Sequence, residues 1–500
     1  MKLIYKIEFN STALYFKKLI DELIIEDNIK AFTKQYFGFI LIILDDDSEK
    51  IESFFITLEK KLPVSMFISK SYVIDTFDEN LEEIKDFNLK ENFEILTPKN
   101  IKEILEDNYF DFLDNIIKLS KNEVIEYKNI KIFLPNKEIL EELKINNEEI
   151  KLLICNSNKI SNIVKVDNSD LALLCSIERP LVRLKLQDEY LNISNSKYIY
   201  TRLSNNKDML LLSQVLSKQN IDYILYTTNE KELKAISNND KNIIISDEKT
   251  LFPKYDFTLK KVFNTKEEYF NSFPNIYKSI ISYESKENIS TIGVYFSQSS
   301  KNSFVDINTS NGKEKRVIYV PEIDNSIDKV FEDISSIDEN SKRLIDNFIK
   351  KYPDILNQKL SNLNSFGAII EICAKVLGLN NIIEFEELAL NSSYSNGVQI
   401  DMKINKVEDK NYLDYRKIIQ SIMSYKIADV DNETLAYSFY EFLGEFIVEY
   451  SKEIARQIKT KNIVLCGDIF TNRLILNKVI KELSKNHNLI LPKEYPLDYI

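Results

Sequence analysis

The residues best suited to chemistry stand near the C-terminus, in the run KNIVLCGDIFTNRLILN at 461–477. Gly467 would let a ligand approach the backbone, and the free N–H groups of a helix starting just after it attract negative charge. Asp468 and Thr471 are available as capping residues. Gly467, Asp468, Asn472 and Arg473 thus form a candidate anion- or partner-binding set, with Asn472 and Arg473 on the exposed first turn of the helix. The competing reading is structural, because a tight strand-to-helix turn needs a glycine whatever it binds.

Counting removes much other chemistry. The cysteines, at 155, 175, 373 and 466, include no pair at the spacing of a zinc finger or ribbon, so buried thiols and no zinc are expected. The single histidine, His487, sits in a polar turn at 484–488, and no histidine dyad, triad or metal cluster can be assembled from it. No catalytic residue is assigned.

The elements that position the C-terminal set are legible as a pattern. Residues 462–466 are an apolar run of strand length, and Leu474, Ile475, Val479, Ile480 and Leu483 recur at helical spacing. A second short strand follows at 489–491, so the two strands should lie parallel with the glycine turn at the sheet's carboxyl end, where open α/β sheets bind ligands. A long helix at 432–459, with Leu435, Phe439, Phe442, Phe446, Tyr450, Ile454 and Ile458 on one stripe, should cover the sheet.

Five hundred residues allow two to four domains, and 44% hydrophobic with 29% charged residues describe a soluble globular chain. No apolar run approaches the roughly 20 residues of a membrane span. The first residues lack a signal-peptide core, so a cytoplasmic location is expected. A net charge of −12 with only eight arginines argues against a nucleic-acid partner. The Lys-rich stretch at 231–241 reads as a solvated helix face.

In chain order, strands are expected at 3–9, 37–44 and 66–73 with helices at 14–24 and 51–62, then an acidic helical stretch at 75–121 that includes Ile101, Ile104, Leu105, Phe110, Phe112, Leu113 and Ile117. Strands at 124–134, 150–156, 180–186 and 223–228 alternate with helices at 137–143 and 209–217. A polar, Ser- and Lys-rich stretch at 273–288 marks the next boundary. A hairpin of 291–295 and 303–307 and a third strand at 316–320 open the last region.

Two motifs carry a resemblance. Cys466-Gly467-Asp468-Ile469-Phe470-Thr471-Asn472-Arg473-Leu474 resembles the S-G-G-V-F-Q-N-R-L segment of the HypF family, the carbamoyltransferases of nickel–iron hydrogenase maturation. Ser365 and Gly367, ahead of Ile369, Cys373 and Val376-Leu377-Gly378-Leu379, resemble that family's S-x-G-R-L-F-D-A helix. The resemblance implies an α/β multidomain chain: an acylphosphatase-like α+β unit at 1–75, a helical linker at 76–121 in place of zinc fingers, a YrdC-like α/β domain at 122–275, and a truncated TsaD-like domain of actin and sugar-kinase type at 288–500.

Residue by residue, the resemblance keeps the frame and loses the chemistry. The family's N-terminal anion loop, with its Arg and glycines, is Glu8-Phe9-Asn10-Ser11-Thr12-Ala13 here, and a carboxylate at such a mouth repels an anion. Ser176-Ile177-Glu178-Arg179-Pro180 and Leu225-Tyr226-Thr227-Thr228-Asn229 are similar to YrdC-like segments that hold ATP. Lys151, Ser176, Arg179, Thr227, Thr228 and Asn229 are therefore the implied nucleotide set, weakened because Ile145-Asn146-Asn147-Glu148 replaces a basic run. Arg179 in a surface ion pair is the plain alternative. In the TsaD-like fold the first hairpin touches nucleotide phosphate, but the family's His metal ligands and Gly-rich phosphate loop have no counterpart here. Asp498 matches the family's last metal ligand, and a lone carboxylate cannot hold a catalytic metal.

The chain is thus identified as a degenerate HypF-like protein, similar also to hydrogenase assembly factors of the HydE type. Three functions follow as expectations: an accessory or scaffold factor whose partner is a hydrogenase subunit or another maturation protein; an active ATP-dependent carbamoyl or acyl transferase; or a non-enzymatic nucleotide-binding protein.

Overall fold

The computed structural model describes residues 1–498 except 79, 85–94, 107–117, 120, 128, 146–147, 195, 239–240, 247–253, 257–258, 275, 285–288, 300–301, 362–364 and 393–395. The chain forms two compact units, Met1–Tyr269 with Lys493–Pro496, and Phe270–Pro492 with Leu497–Ile500.

The first unit opens with an antiparallel sheet of β1 (Lys2–Phe9), β2 (Ala31–Tyr36), β3 (Phe39–Asp45) and β4 (Ile68–Ile74), in the order β2-β3-β1-β4. Alternation along β1 buries Ile7 and Phe9 and leaves Glu8 on the opposite face. The helices Tyr15–Glu26 and Ser48–Lys61 contribute Phe16, Ile20, Phe54 and Leu58 to the same core. The strand expected at 37–44 is β3, and it pairs with β2 in a hairpin that turns at Gly38 with φ 87°. β2 escapes a hydrophobic-pattern reading because the side chains it buries include Thr33 and Gln35.

The same unit holds a nine-stranded mixed sheet. It contains β5 (Ile125–Tyr127), β6 (Ile130–Phe133), β7 (Lys151–Ile154), β8 (Val164–Lys165), β9 (Leu181–Leu186), β10 (Tyr198–Arg202), β11 (Tyr223–Thr228), β12 (Lys234–Asn238) and β13 (Lys241–Ser246), in the order β13-β12-β9-β10-β7-β11-β6-β5 with β8 on β9. The strand expected at 124–134 is the hairpin β5–β6, folded at Asn129. The Lys-rich stretch at 231–241 is no helix face: it contains β12, parallel to β9, with Ala235 and Ile236 buried. A short pair, β14 (Lys254–Asp256) and β15 (Lys261–Phe263), follows. In the acidic stretch at 76–121 the helix Pro98–Glu106 is present, while Phe110, Phe112, Leu113 and Ile117 lie outside the described residues.

The second unit is built on a seven-stranded sheet of β16 (Thr291–Tyr295), β17 (Phe304–Asn308), β18 (Glu314–Tyr319), β19 (Ile404–Val407), β20 (Lys410–Leu413), β21 (Asn462–Cys466) and β22 (Asn488–Ile490), ordered β19-β20-β18-β17-β16-β21-β22. β21 runs parallel to both β16 and β22, as the strand–turn–helix–strand pattern requires. The stretch at 273–288, expected as polar linker, holds the helix Ile276–Glu284, which buries Tyr277 and Ile280. The helix Asn432–Ile458 is capped by Asp431, which accepts from Thr434 N at 2.8 Å. It packs on the helices Ile382–Asn391 and Arg473–Leu483. Phe442 and Tyr450 are only half-buried, because Leu443 and Phe446 take the inward positions. Among the described residues no helix is long and apolar enough to cross a membrane.

Candidate functional site

In the second unit β16 and β21 end side by side, Tyr295 against Cys466, so the segments leaving them meet. Both close contacts there require glycine. Gly467 has φ 102°, and a Cβ on it would stand 1.9 Å from the Phe296 carbonyl oxygen. A Cβ on Gly367, in the first turn of the helix Ser365–Val376, would stand 2.1 Å from the Gln298 carbonyl oxygen. Phe296, Phe366 and Phe439 pack in series beside them, with centroids 5.1 and 6.2 Å apart. The two motifs noted in the sequence therefore converge on one turn, residues 296–299.

Asp468 points back into that turn. Its Oδ1 accepts from Gln298 N at 2.6 Å and its Oδ2 from Ser299 Oγ at 2.7 Å. Asp498 lies beside it, accepting from Tyr295 OH at 2.8 Å and from Asp468 N at 3.2 Å. Burial, and next the Asp498 charge, push the Asp468 carboxyl up from 3.8 to about 6 in spite of its donors. A folded-state value above the unfolded one means that the native form holds the proton more tightly, so stability falls as pH rises from about 4 to about 6. Asp468→Asn should remove this slope and raise the stability of the unit above pH 6 by on the order of 1–3 kcal/mol. Thermal unfolding of both proteins between pH 4 and pH 8 checks it.

Asp468 is thus not the helix cap that the sequence suggests, and neither is Thr471. A 3₁₀ turn, Asp468–Thr471, intervenes, and the cap is Asn472, whose Oδ1 accepts from Leu474 N at 3.0 Å and Ile475 N at 3.4 Å. Asn472 is buried, not exposed, and its Nδ2 donates to Glu386 Oε1 at 3.2 Å, while Arg473 is half-buried. Asn472→Ala should accordingly cost about 1–2 kcal/mol in urea unfolding, as loss of a cap does.

In the first unit the implied nucleotide residues do not converge. Lys151 is buried, and its Nζ lies 2.8 Å from Glu232 Oε2 and 3.6 Å from Glu149 Oε2. Arg202, which the sequence reading missed, donates to Glu232 Oε1 at 2.7 Å, and Tyr226 OH donates to the same oxygen at 3.0 Å. Burial raises the Glu232 carboxyl, but Arg202 and Lys151 outweigh it and hold the group below its usual range. Thr227 Oγ1 donates to Glu148 at 3.0 Å, Thr228 Oγ1 accepts from Glu230 N at 3.1 Å, and Asn229 is exposed. Ser176 Oγ donates to the Leu173 carbonyl at 2.8 Å. Arg179 makes no surface ion pair among the described residues; it is half-buried and bonds the Ser204 carbonyl oxygen.

The N-terminal loop carries a similar arrangement. Glu8 does not face it: on the outer face of the sheet its carboxylate accepts from Ser69 Oγ at 3.0 Å and Tyr72 OH at 3.1 Å. The loop instead holds Glu494, whose Oε1 accepts from Thr12 N at 2.6 Å, Thr12 Oγ1 at 2.8 Å and Ser11 Oγ at 2.9 Å, all buried. Nearby, Glu178 accepts from Tyr15 OH, from Ser65 Oγ and, at 2.9 Å, from Met66 N, joining the first sheet to the start of β9. Burial keeps its carboxyl above the usual range despite these donors.

Among the described residues no three of His, Cys, Asp and Glu stand close enough to share an ion. Cys373 and Cys466 are buried separately, Cys175 is exposed, and Asp498 is engaged by Tyr295 and the backbone. Arg202, Glu232 and Glu494 had no usable signal in the sequence: Glu494 reaches Thr12 across 482 positions, a distance no local pattern encodes.

Comparison with known proteins agrees with this architecture. Residues 324–498 match the family described as carbamoyltransferase, Kae1-like domain, second subdomain. Protein HydE of Wolinella succinogenes is 31% identical over 105 residues, which is 21% of this chain and 19% of that protein, so the match spans about a fifth of its length. Full-length HypF in a phosphate- and nucleotide-bound form superposes with a TM-score of 0.61 at 12% identity, covering 100% of this chain and 96% of that one. HypF of T. kodakarensis gives 0.64 at 13% identity with the same coverage. At these identities the structural likeness is one of fold, and it runs the whole length of the chain. Residues 324–498 thus match the HypF C-terminal family model, and the chain as a whole has the fold of HypF.

Proposed function

We propose that this protein acts in nickel–iron hydrogenase maturation as an accessory or scaffold factor without carbamoyl-transfer chemistry, working in the cytoplasm with a hydrogenase subunit or another maturation protein. One repeated arrangement carries the reading. At each of three places where the family resemblance implies an anion, the donors are taken by a carboxylate of this chain: Glu494 at Ser11 and Thr12, Glu232 at Lys151 and Arg202, and Asp468 at Gln298 and Ser299. A phosphate or carbamoyl phosphate would have to displace a buried carboxylate and leave it without donors, at a cost of several kcal/mol.

Deletion of the gene from cells that make a nickel–iron hydrogenase should abolish hydrogenase activity, and a copy carrying Lys151→Met should restore it. The reading fails if deletion leaves hydrogenase activity intact. It also fails if the Lys151→Met protein accumulates normally yet does not restore activity, since the lysine then serves chemistry.

A further inference from the structure

β7 and β10 are parallel neighbours, so their carboxyl ends open on the same side of the sheet. Just beyond them a cavity of about 370 Å³ lies between residues 155–157, residues 203–204 and the helix Lys207–Lys218. Ligands of open α/β sheets bind outside the carboxyl ends of parallel strands, and this volume suits a small molecule. The cavity adjoins the last residue of β7, Ile154, whereas Lys151 is the first.

Its wall has polar capacity that the protein leaves unused. Arg179 gives one hydrogen bond, from Nη1 to the Ser204 carbonyl oxygen, and has no carboxylate partner among the described residues. Its backbone is held at φ 45°, in the left-handed region. Gln214 Oε1, also in the wall, is buried with no hydrogen-bond partner among the described residues. The hydroxyls of Ser204 and Ser213, 2.7 Å apart, add further polar atoms to the lining. A half-buried guanidinium with donors to spare favours an oxyanion, and a buried amide oxygen favours a donor.

We propose that this cavity binds a small oxyanion, a phosphate ester or a carboxylate, that also carries an O–H or N–H donor, with Arg179 holding the anion and Gln214 the donor. Arg179 belongs to the nucleotide set that the resemblance implies, but it lies apart from the donors taken by Glu494, Glu232 and Asp468, on which the function proposed above rests.

Calorimetric titration of the full chain with glycerol 3-phosphate and, separately, with L-malate tests it and distinguishes the two ligand types. Saturable binding of at least one is expected. Arg179→Met should weaken that ligand by at least about tenfold and Gln214→Leu by about threefold to tenfold, as lost charged and neutral hydrogen bonds do. Lys151→Met should leave the affinity within about twofold, because it removes no group from the cavity. Far-ultraviolet circular dichroism of each variant confirms that it is folded. Absence of saturable binding by either ligand, binding unchanged in folded Arg179→Met or Gln214→Leu, or loss in Lys151→Met alone would each overturn the proposal.

Discussion

Gly467→Val should lower the stability of the second unit by at least about 2 kcal/mol, the sum of roughly 1–3 for strain and roughly 1–3 or more for overpacking. The two contributions are separate. At φ 102° and ψ 147° the residue occupies a region that only glycine visits readily. The added Cβ would also run into the main chain of Phe296, 1.9 Å from its carbonyl oxygen, 2.5 Å from its carbonyl carbon and 2.9 Å from its nitrogen. Backbone at the exit of β16 cannot move without disturbing the pairing of β16 with β17 and β21. Gly312 is the control: its φ is 75° but nothing lies within 4 Å of the Cβ position. Gly312→Ala should therefore cost only about 1 kcal/mol. Thermal unfolding separates the two, with a fall of at least about 4 °C expected for Gly467→Val. Equal shifts would mean that the contact with Phe296 contributes nothing.

Removing Glu232 should have an effect of similar size for an electrostatic reason. Its carboxylate lies between Lys151 and Arg202, whose side chains are 3% and 4% exposed. Arg202 Nε already lacks a partner among the described residues. Glu232→Ala leaves two buried cations with too few acceptors, which costs about 3–5 kcal/mol. The pH dependence has a definite sign. A carboxyl held below its unfolded value contributes stability that is present above about pH 4.5 and is lost as pH falls through the lower folded value. The wild-type protein should therefore lose this contribution in acid, while Glu232→Ala should lack that part of the slope. Inorganic phosphate should raise the melting temperature of Glu232→Ala more than that of the wild type, because the vacated position accepts an anion. Equal responses to phosphate would contradict the assignment of Glu232 as an occupant of that position.

How much was legible depended on how local the determining interaction is. β11, β16 and β21 appear where the sequence places them, because each is a short apolar run bounded by polar or turn residues. β2 and β12 are hidden, because Thr33 and Gln35 are buried polar residues and the β12 stretch is rich in lysine. Gly467 and Gly367 announce themselves as glycines in motifs, and both prove to be required by close approach to main chain. The helix cap is Asn472, four residues after Asp468 and one after Thr471, because a 3₁₀ turn cannot be told from the first turn of an α-helix by residue type. The three carboxylates that accept from Thr12, Lys151 and Gln298 are the least legible in their partners. Glu8 lies next to the loop in sequence and turns away from it, whereas Glu494 arrives from the far end of the chain. Glu232 pairs with Lys151 across 81 positions, and Asp468 with Gln298 across 170.

The most direct test of the claim that these carboxylates have replaced the anion chemistry is to incubate the purified chain with ATP and carbamoyl phosphate and measure release of AMP and pyrophosphate. Release no greater than that of a boiled control is predicted. Carbamoyl-phosphate-dependent release above that control, lost in a folded Lys151→Ala variant, would contradict the account and restore the transferase reading.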